Sequence, residues 1–218
     1  KRVADVDLLD GVRAAYQDYE FHVLYHSLHN FCAVDLSAFY LDVLKDRVYT
    51  SGPASQLRRS AQTAMYEILV SLVKLMAPVL SFTADEVWRF IPMRDRPASV
   101  HLTEFPRVRT DLLDEGLAQE WDRLLAVRDQ VLRTLEVARK DRQIGSAQEA
   151  AVEVQAVGEE LEFLARHQEA LETVCIVSRL TVRPAQGEAA GSDLAVRVDR
   201  APGRKCQRCW NYRESVGA

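Results

Sequence analysis

The chain has 218 residues, of which 48% are hydrophobic and 28% are charged, an ordinary composition for a globular protein with a sizeable core. Such a length predicts one or two domains. The formal net charge of -4 argues against a protein whose whole surface binds polyanions, although a local basic patch could still bind nucleic acid. No apolar run approaches the roughly 20 residues that span a bilayer, so we expect no membrane association.

Apolar residues recur every three or four positions near the N-terminus, which is the spacing of a buried helix face. The pattern predicts one long helix over residues 7 to 31 and a second, over 35 to 46, that turns back against the first. The stretch from Tyr19 to Tyr49 is apolar and aromatic with few interruptions. We therefore expect this whole stretch to lie in the core.

Three more helices are predicted in the following hundred residues. The first starts after Ser55 and stops at Met76, because Pro78 cannot continue it. A short helix ends at Pro92, and a long one around Trp121 is ended by Gly145. Helices of this length joined by short loops are typical of antiparallel neighbours, so residues 1 to 145 predict an antiparallel helical bundle and a mainly α protein.

The pattern changes after Ser146. Alternating and β-branched residues predict strands near 151 to 157, 173 to 183 and 194 to 198, with a helix over 159 to 170. We expect a small α+β module over residues 146 to 200, with 187 to 192 as the tip of a hairpin.

Two groups of side chains have the spacing of metal ligands. His22, His26 and His29 share one face of the predicted first helix, but the apolar stripe turns that face toward the core, and no H-E-x-x-H pattern is present. Cys206 and Cys209 form a C-x-x-C pair on a predicted turn, where two thiolates are placed to chelate zinc. Cys32 and Cys175 lie in apolar surroundings and are expected to be reduced core thiols.

The cysteine pair is one half of a usual zinc site. Structural zinc takes four ligands, and a second C-x-x-C normally follows after about 15 to 20 residues. Only nine residues follow Cys209. We expect a half-site that is either free of metal or completed by a second copy or by an unrelated ligand.

Two surfaces carry residue types that suit RNA. The polar face of the helix after Ser55 presents Arg59 and Gln62 among hydroxyl and aromatic side chains. Arg208 and Trp210 lie in a basic, aromatic segment, and RNA loops are recognised through aromatic stacking and arginine. The alternative for Trp210 is that its ring only packs on the cysteine turn.

Several ordered motifs together resemble the C-terminal region of bacterial isoleucyl-tRNA synthetases, and the resemblance covers almost the whole chain. The motifs are the Tyr19 to Tyr49 stretch, R-R-S-A-Q-T at 58 to 63, the segment from Met76 to Pro78, F-T-A-D-E-V-W at 82 to 88, V-H-L at 100 to 102, I-G at 144 to 145, V-S-R-L-T-V at 177 to 182 and K-C-Q-R-C-W at 205 to 210. The start at Lys1, without an initiator methionine, fits a fragment of a longer protein.

The resemblance implies a fold and a function. It implies a helical bundle of the class I synthetase anticodon-binding type over 1 to 145, the α+β module over 146 to 200, and a truncated zinc-ribbon-like segment over 201 to 218. It adds Arg58 to the residues expected to contact tRNA, with Arg59, Gln62, Arg208 and Trp210, and it assigns zinc to Cys206 and Cys209 with a second cysteine pair missing.

The parent enzyme implied by the resemblance is a cytoplasmic, monomeric ligase that attaches isoleucine to its tRNA, edits its product, and binds ATP and Mg in a catalytic domain. The chain contains no H-I-G-H or K-M-S-K-S motif, so we expect no catalytic residue here. Two other functions remain open from the sequence: a helical metalloprotein built on the three histidines, and a non-catalytic interaction scaffold.

Overall fold

The computed structural model describes residues 2–185 and 194–217. The helices are α1 (Arg2–Gln17), α2 (Phe21–Asn30), a π-helical stretch (Phe31–Leu41), α3 (Asp42–Tyr49), α4 (Gln56–Met76), α5 (Ser81–Phe90), α6 (Glu115–Lys140), α7 (Gly158–Arg166) and α8 (Gln168–Cys175). The strands are β1 (Ala150–Ala156), β2 (Arg179–Pro184), β3 (Leu194–Arg200), β4 (Arg204–Lys205) and β5 (Tyr212–Arg213). Short 3-10 turns occur at Val100–Leu102, Thr110–Leu112 and Ala147–Glu149.

The predicted combination of a helical domain and a small α+β module is confirmed. Within the described ranges, none of the helices is both long and apolar enough to cross a membrane. Contacts divide the chain into two compact units, Lys1–Asp114 and Glu115–Ala218. The sequence analysis counted α6 with the helical part, whose end it placed at 145. In the structure α6 contacts β3 and α8 and falls in the second unit.

The first predicted helix is in fact two helices. The break lies at Asp18–Glu20, where Tyr19 adopts a left-handed conformation (φ 58°) and the amide of Glu20 donates to the carbonyl of Ala15 at 2.8 Å. This is the hydrogen bond with which many helices end. From Phe21 the chain stays helical through Tyr49, so the turn predicted between residues 31 and 35 is wrong.

The core of the first unit has two clusters. One joins α1, α2 and α4 through Val12, Leu24, Leu28 and Leu75, among other side chains. The second surrounds Trp88 of α5, which is 1% exposed and whose indole N–H donates to the carbonyl of Pro97 at 2.9 Å.

The Tyr19 to Tyr49 stretch is only partly in the core, so the prediction for the whole stretch is wrong. Leu24, Leu28, Phe31 and Leu44 are buried. Several large side chains on its other faces are exposed: Tyr19, Phe21, Val23, Tyr25, Val34, Leu41 and Tyr49. A helix can bury only the faces that its neighbours cover, and this one packs against α1 and, through Phe31 and its neighbours, α4.

The second unit contains a three-stranded sheet with the order β2-β1-β3. Central β1 is parallel to β2 and antiparallel to β3, and α7 and α8 form the crossover from β1 to β2. Alternate residues of β1 are buried, from Ala150 to Ala156. Helix α6 contacts β3 and α8, and the guanidinium of Arg128 donates to the carbonyl of Val174 at 2.8 Å.

The predicted strands are largely confirmed, with two corrections. Residues 173 to 175 are still helical, so β2 begins only at Arg179. Strands β2 and β3 lie on opposite sides of β1, so the predicted hairpin between them is wrong. Its predicted tip, residues 187 to 192, lies outside the described residues.

Candidate functional site

The start of α4 presents one polar surface. Arg59 and Gln62 are exposed there, one helical turn apart, and the hydroxyl of Thr63 donates to the carbonyl of Arg59 at 2.9 Å. An open cleft of about 520 Å³ lies beside them and is lined by Ala54, Gln56, Arg59, Ser60 and Thr63. This surface therefore offers a guanidinium, amides and hydroxyls to a ligand.

Arg58 has a different environment from its neighbour. It is half-buried, and its guanidinium donates to the carbonyl of Ser51 at 3.1 Å, which fixes the loop before α4. Two acidic side chains of the preceding helix α3, Asp42 and Asp46, accept from Lys45 and Thr50 respectively. Arg58 thus supports the loop that lines the cleft.

The C-terminal residues fold into a short hairpin, Arg204–Arg213, which we call the C-terminal hairpin. Strands β4 and β5 pair in register Arg204 to Arg213 and Lys205 to Tyr212. Within its loop, the amide of Cys206 donates to the carbonyl of Asn211 and the amide of Trp210 donates to the carbonyl of Cys206, both at 2.9 Å. Backbone hydrogen bonds therefore close the loop.

Trp210 is presented to solvent by this loop. Its side chain is 57% exposed, its backbone is left-handed (φ 65°), and the ammonium of Lys205 lies 5.4 Å from the ring centre. Arg208 is exposed in the same loop. More than half of the Trp210 side chain is exposed, so packing on the cysteine turn leaves much of the ring uncovered.

The two cysteines of the hairpin fit part of a metal site. Backbone amides of Cys209 and Arg208 point at the Cys206 sulfur and lower the pKa of its thiol below the ordinary value, which favours the thiolate that binds metal. Over the part of the chain that is described, no three His, Cys, Asp or Glu side chains are grouped closely enough to hold a metal. The residues present therefore fit half of a four-ligand zinc site.

The three histidines of α2 are exposed, which corrects the prediction that they face the core. The ring of Tyr25 lies 5.2 Å from that of His26 and 5.6 Å from that of His29. As stated above, the described residues hold no three-ligand cluster, and the metalloprotein alternative gains no support from this geometry. By contrast, Cys175 is buried as predicted, and burial raises the pKa of its thiol to about 12.

Two arrangements escaped the sequence analysis. A second open cleft, of about 400 Å³, lies in the first unit and is lined by Arg13, Tyr16, Gln17, Glu104, Phe105 and Arg107. Ser178 is fully buried and hydrogen-bonds to both Gln148 and the C-terminal hairpin. Neither has a periodicity signal, because each is made by residues far apart in the chain.

Comparison with known proteins defines the class of this chain. It belongs to the family described as anticodon-binding domain of tRNA ligase, whose family model matches residues 7–154.

Among its curated relatives are isoleucine–tRNA ligases of three bacteria. That of Moorella thermoacetica is 48% identical over 96% of this chain and 24% of the relative. Those of Syntrophotalea carbinolica and Geobacter sulfurreducens are each 49% identical, over 97% and 96% of this chain respectively and 23% of the relative. The chain thus spans about a quarter of the length of the curated relatives that it matches.

Proposed function

We propose that this chain binds the anticodon stem-loop of an isoleucine tRNA and serves as the anticodon-binding part of an isoleucine–tRNA ligase. The family match over residues 7–154, together with the names of the relatives, carries the proposal. The exposed Arg59 and Gln62 of α4 and the exposed Trp210 of the C-terminal hairpin supply cationic, amide and stacking contacts of the kinds that single-stranded RNA loops use. Binding energy gained at the anticodon would help to position the rest of the tRNA for aminoacylation.

The remaining activities of such a ligase are assigned to the part of the relatives that this chain does not match. The reaction with ATP and Mg, and editing, would take place there, in a cytoplasmic and monomeric enzyme. Within this chain, Arg58 is proposed to shape the α4 surface, while Arg59, Gln62, Arg208 and Trp210 contact RNA. The three-part domain division, at 145 and 200, is the one that the resemblance implies, whereas we propose residues 1–114 and 115–218 as the units that fold independently.

Zinc is proposed to bind Cys206 and Cys209, completed by two ligands from outside the described residues. When bound, the metal would cross-link the loop of the C-terminal hairpin to the segment that supplies those ligands. Cys206 contributes a thiol that already favours the thiolate form, and the backbone of the loop orients it. The proposed role of the metal is structural.

The first test is an RNA titration. The 218-residue chain is titrated with an isoleucine tRNA anticodon stem-loop and with one carrying a mismatched anticodon, at two salt concentrations. We expect tighter binding to the cognate loop and weaker binding at higher salt, because phosphate contacts release counterions. Equal affinity for both loops, or no binding at low salt, would contradict the proposal.

Two substitutions locate the contacts. Arg59→Ala and Trp210→Ala are each expected to cost about 1 to 3 kcal/mol of binding free energy if the side chains meet bases. Arg94→Ala and Phe82→Ala are matched controls, since Arg94 and Phe82 are also highly exposed and lie outside the proposed surfaces. If Arg59 instead meets a phosphate, its loss should weaken both stem-loops equally and lower the salt slope by about 0.7 to 0.9.

A further inference from the structure

The C-terminal hairpin is too short to hold its own orientation. Strands β4 and β5 have two residues each, and an isolated two-stranded hairpin is marginally stable at best. Even so, the hairpin has a defined position on the second unit. Two side chains of the α+β module, Ser178 and Glu172, account for this position.

Ser178 joins three separate segments of the second unit. It follows α8, it is 0% exposed, and its hydroxyl donates to the carbonyl of Gln148 at 2.5 Å. The same oxygen accepts the amide N–H of Tyr212, in β5, at 2.6 Å. A hydroxyl can donate one hydrogen bond and accept another at the same time. Ser178 therefore links the residues before β1 to the base of the hairpin, and its buried hydroxyl is satisfied as both donor and acceptor.

Glu172 makes the second connection with both carboxylate oxygens. One oxygen accepts from the guanidinium of Arg213 at 2.9 Å, and the other accepts from the amide of Leu180 at 3.0 Å. The side chains of Glu172 and Arg213 are 26% and 45% exposed, so water reaches this ion pair and weakens it by screening. Charge-assisted bonds of this kind are about twice as strong as neutral ones.

We propose that Ser178 and Glu172 are positioning residues for RNA binding: they hold the base of the C-terminal hairpin on the α+β module so that Trp210 is presented in one orientation. This inference rests on the proposed function. The two residues touch the backbone of Tyr212 and the side chain of Arg213, at the end of the hairpin opposite Trp210. We name the pair the hairpin clamp.

The physical role of the hairpin clamp is preorganisation. A hairpin attached only through its chain ends would sample many orientations, and RNA would have to select one of them at an entropic cost. With the clamp in place, that ordering is complete before RNA arrives. The clamp therefore affects affinity through Trp210 and Arg208 of the hairpin and makes no RNA contact of its own.

The test compares Glu172→Gln with Glu162→Gln in the 218-residue chain. Both changes remove one negative charge from the same module, and Glu162 is exposed. Loss of a negative charge alone should strengthen RNA binding slightly. We instead expect Glu172→Gln to bind the cognate stem-loop about threefold to tenfold more weakly than Glu162→Gln, because the clamp is weakened.

A double-mutant cycle separates positioning from general destabilisation. In the Trp210→Ala background, Glu172→Gln should cause a clearly smaller loss of affinity than in the unaltered chain, because Trp210 is absent and Arg208 is the one proposed RNA contact of the hairpin left to be positioned. Ser178→Ala should behave in the same way. Equal affinities of Glu172→Gln and Glu162→Gln, or an undiminished loss in the Trp210→Ala background, would overturn the inference.

A second readout requires no RNA. With 5-fluorotryptophan in place of all three tryptophans, the ¹⁹F resonance of Trp210 is assigned through Trp210→Phe. Glu172→Gln should shift and narrow that resonance, while the resonance of buried Trp88 stays unchanged. An unchanged Trp210 resonance would refute the clamp even if the chain binds RNA. If the unaltered chain fails to bind RNA, the proposed function is refuted. The fluorine result then decides by itself whether the clamp orders the hairpin.

Discussion

The thiols of Cys206 and Cys175 lie in environments that shift their pKa values in opposite directions. Backbone N–H groups of Cys209 and Arg208 surround the Cys206 sulfur and lower its pKa, whereas burial raises the pKa of Cys175 to about 12. Only the thiolate reacts with alkylating agents. The two cysteines should therefore differ in reactivity as well as in access.

Alkylation measures this difference. We expect iodoacetamide to modify Cys206 well before Cys175, with a pH–rate inflection below the ordinary thiol value of about 8.5, because a lowered pKa moves the rise in thiolate to lower pH. Peptide mass spectrometry resolves the two sites, and added zinc should slow the reaction at Cys206 if the metal binds there. Faster labelling of Cys175 in the folded chain would contradict the assignment.

Gly203 lies where the backbone leaves no room for a side chain, so its replacement should destabilise the C-terminal hairpin. Its φ is +91°, and a Cβ at this position would lie 2.3 Å from the backbone carbon of Arg213. Gly203→Ala should therefore displace the C-terminal hairpin at a cost of at least about 1 to 3 kcal/mol in local stability. Gly52→Ala is the matched control, since nothing lies within 4 Å of a Cβ there.

Hydrogen exchange of the amide of Tyr212 reports the local stability of the hairpin. We expect faster exchange at Tyr212 in Gly203→Ala, together with weaker stem-loop binding, and unaltered exchange at Tyr212 in Gly52→Ala. Unaltered exchange in Gly203→Ala would show that the hairpin tolerates a side chain at this close approach.

At the scale of elements, the sequence predicted where helices and strands occur better than it predicted where they break. The end of α4 before Pro78 and the alternation of β1 follow from local chemistry. The break at Tyr19 does not, because a tyrosine in the left-handed region is not a stop signal. The prediction that the histidines face the core was wrong because it assumed one unbroken helix that its neighbours cover on most sides.

The residues proposed to be functional divide into those that the sequence could indicate and those that it could not. Cys206, Cys209 and Trp210 could be singled out because their residue types and spacing carry the signal. The hairpin clamp could not, since Ser178 and Glu172 meet Tyr212 and Arg213 only through the tertiary fold. This arrangement could not be predicted because its residues are far apart in the sequence, although each is of an ordinary type.

We expect the stability of helix α5 to depend on pH through Asp85. The hydroxyl of Ser99 and the guanidinium of Arg89 donate to Asp85 and hold the pKa of its carboxyl below the usual value. A carboxyl whose pKa is lowered by folding stabilises the protein above its unfolded pKa of about 3.9, and this stabilisation is lost as pH falls through the lower folded value.

Asp85→Asn tests that dependence. The variant should unfold at a lower temperature than the unaltered chain at pH 7, and the difference should shrink as the pH falls below about 4. Circular dichroism melts at several pH values provide the measurement, and Asp95→Asn is the control, because Asp95 is 94% exposed and its nearest cation is 3.9 Å away. A difference that stays constant with pH would mean that the charge of Asp85 is not what stabilises α5.

At the scale of the whole molecule, the sequence and the structure begin the second unit at different residues. The sequence ends the helical part at 145, whereas contacts place α6 with the sheet, from Glu115 onward. The buried side chains of α6 are Leu124, Val127, Val131, Leu135 and Ala138. Because α6 contacts β3 and α8, a module without it would expose the apolar surfaces that those side chains cover.

Two fragments test this boundary. Residues 115–218 should give a cooperative thermal transition and dispersed amide resonances. Residues 146–218 should lack both, because this fragment is missing the five buried apolar side chains of α6, and burial of even one leucine in a core is worth about 1.5 to 3 kcal/mol. Leu135→Ala in the longer fragment should lower its stability by about 2 to 5 kcal/mol. If 146–218 folds as well as 115–218, the boundary at 145 describes the autonomous unit and α6 contributes little to the stability of the module.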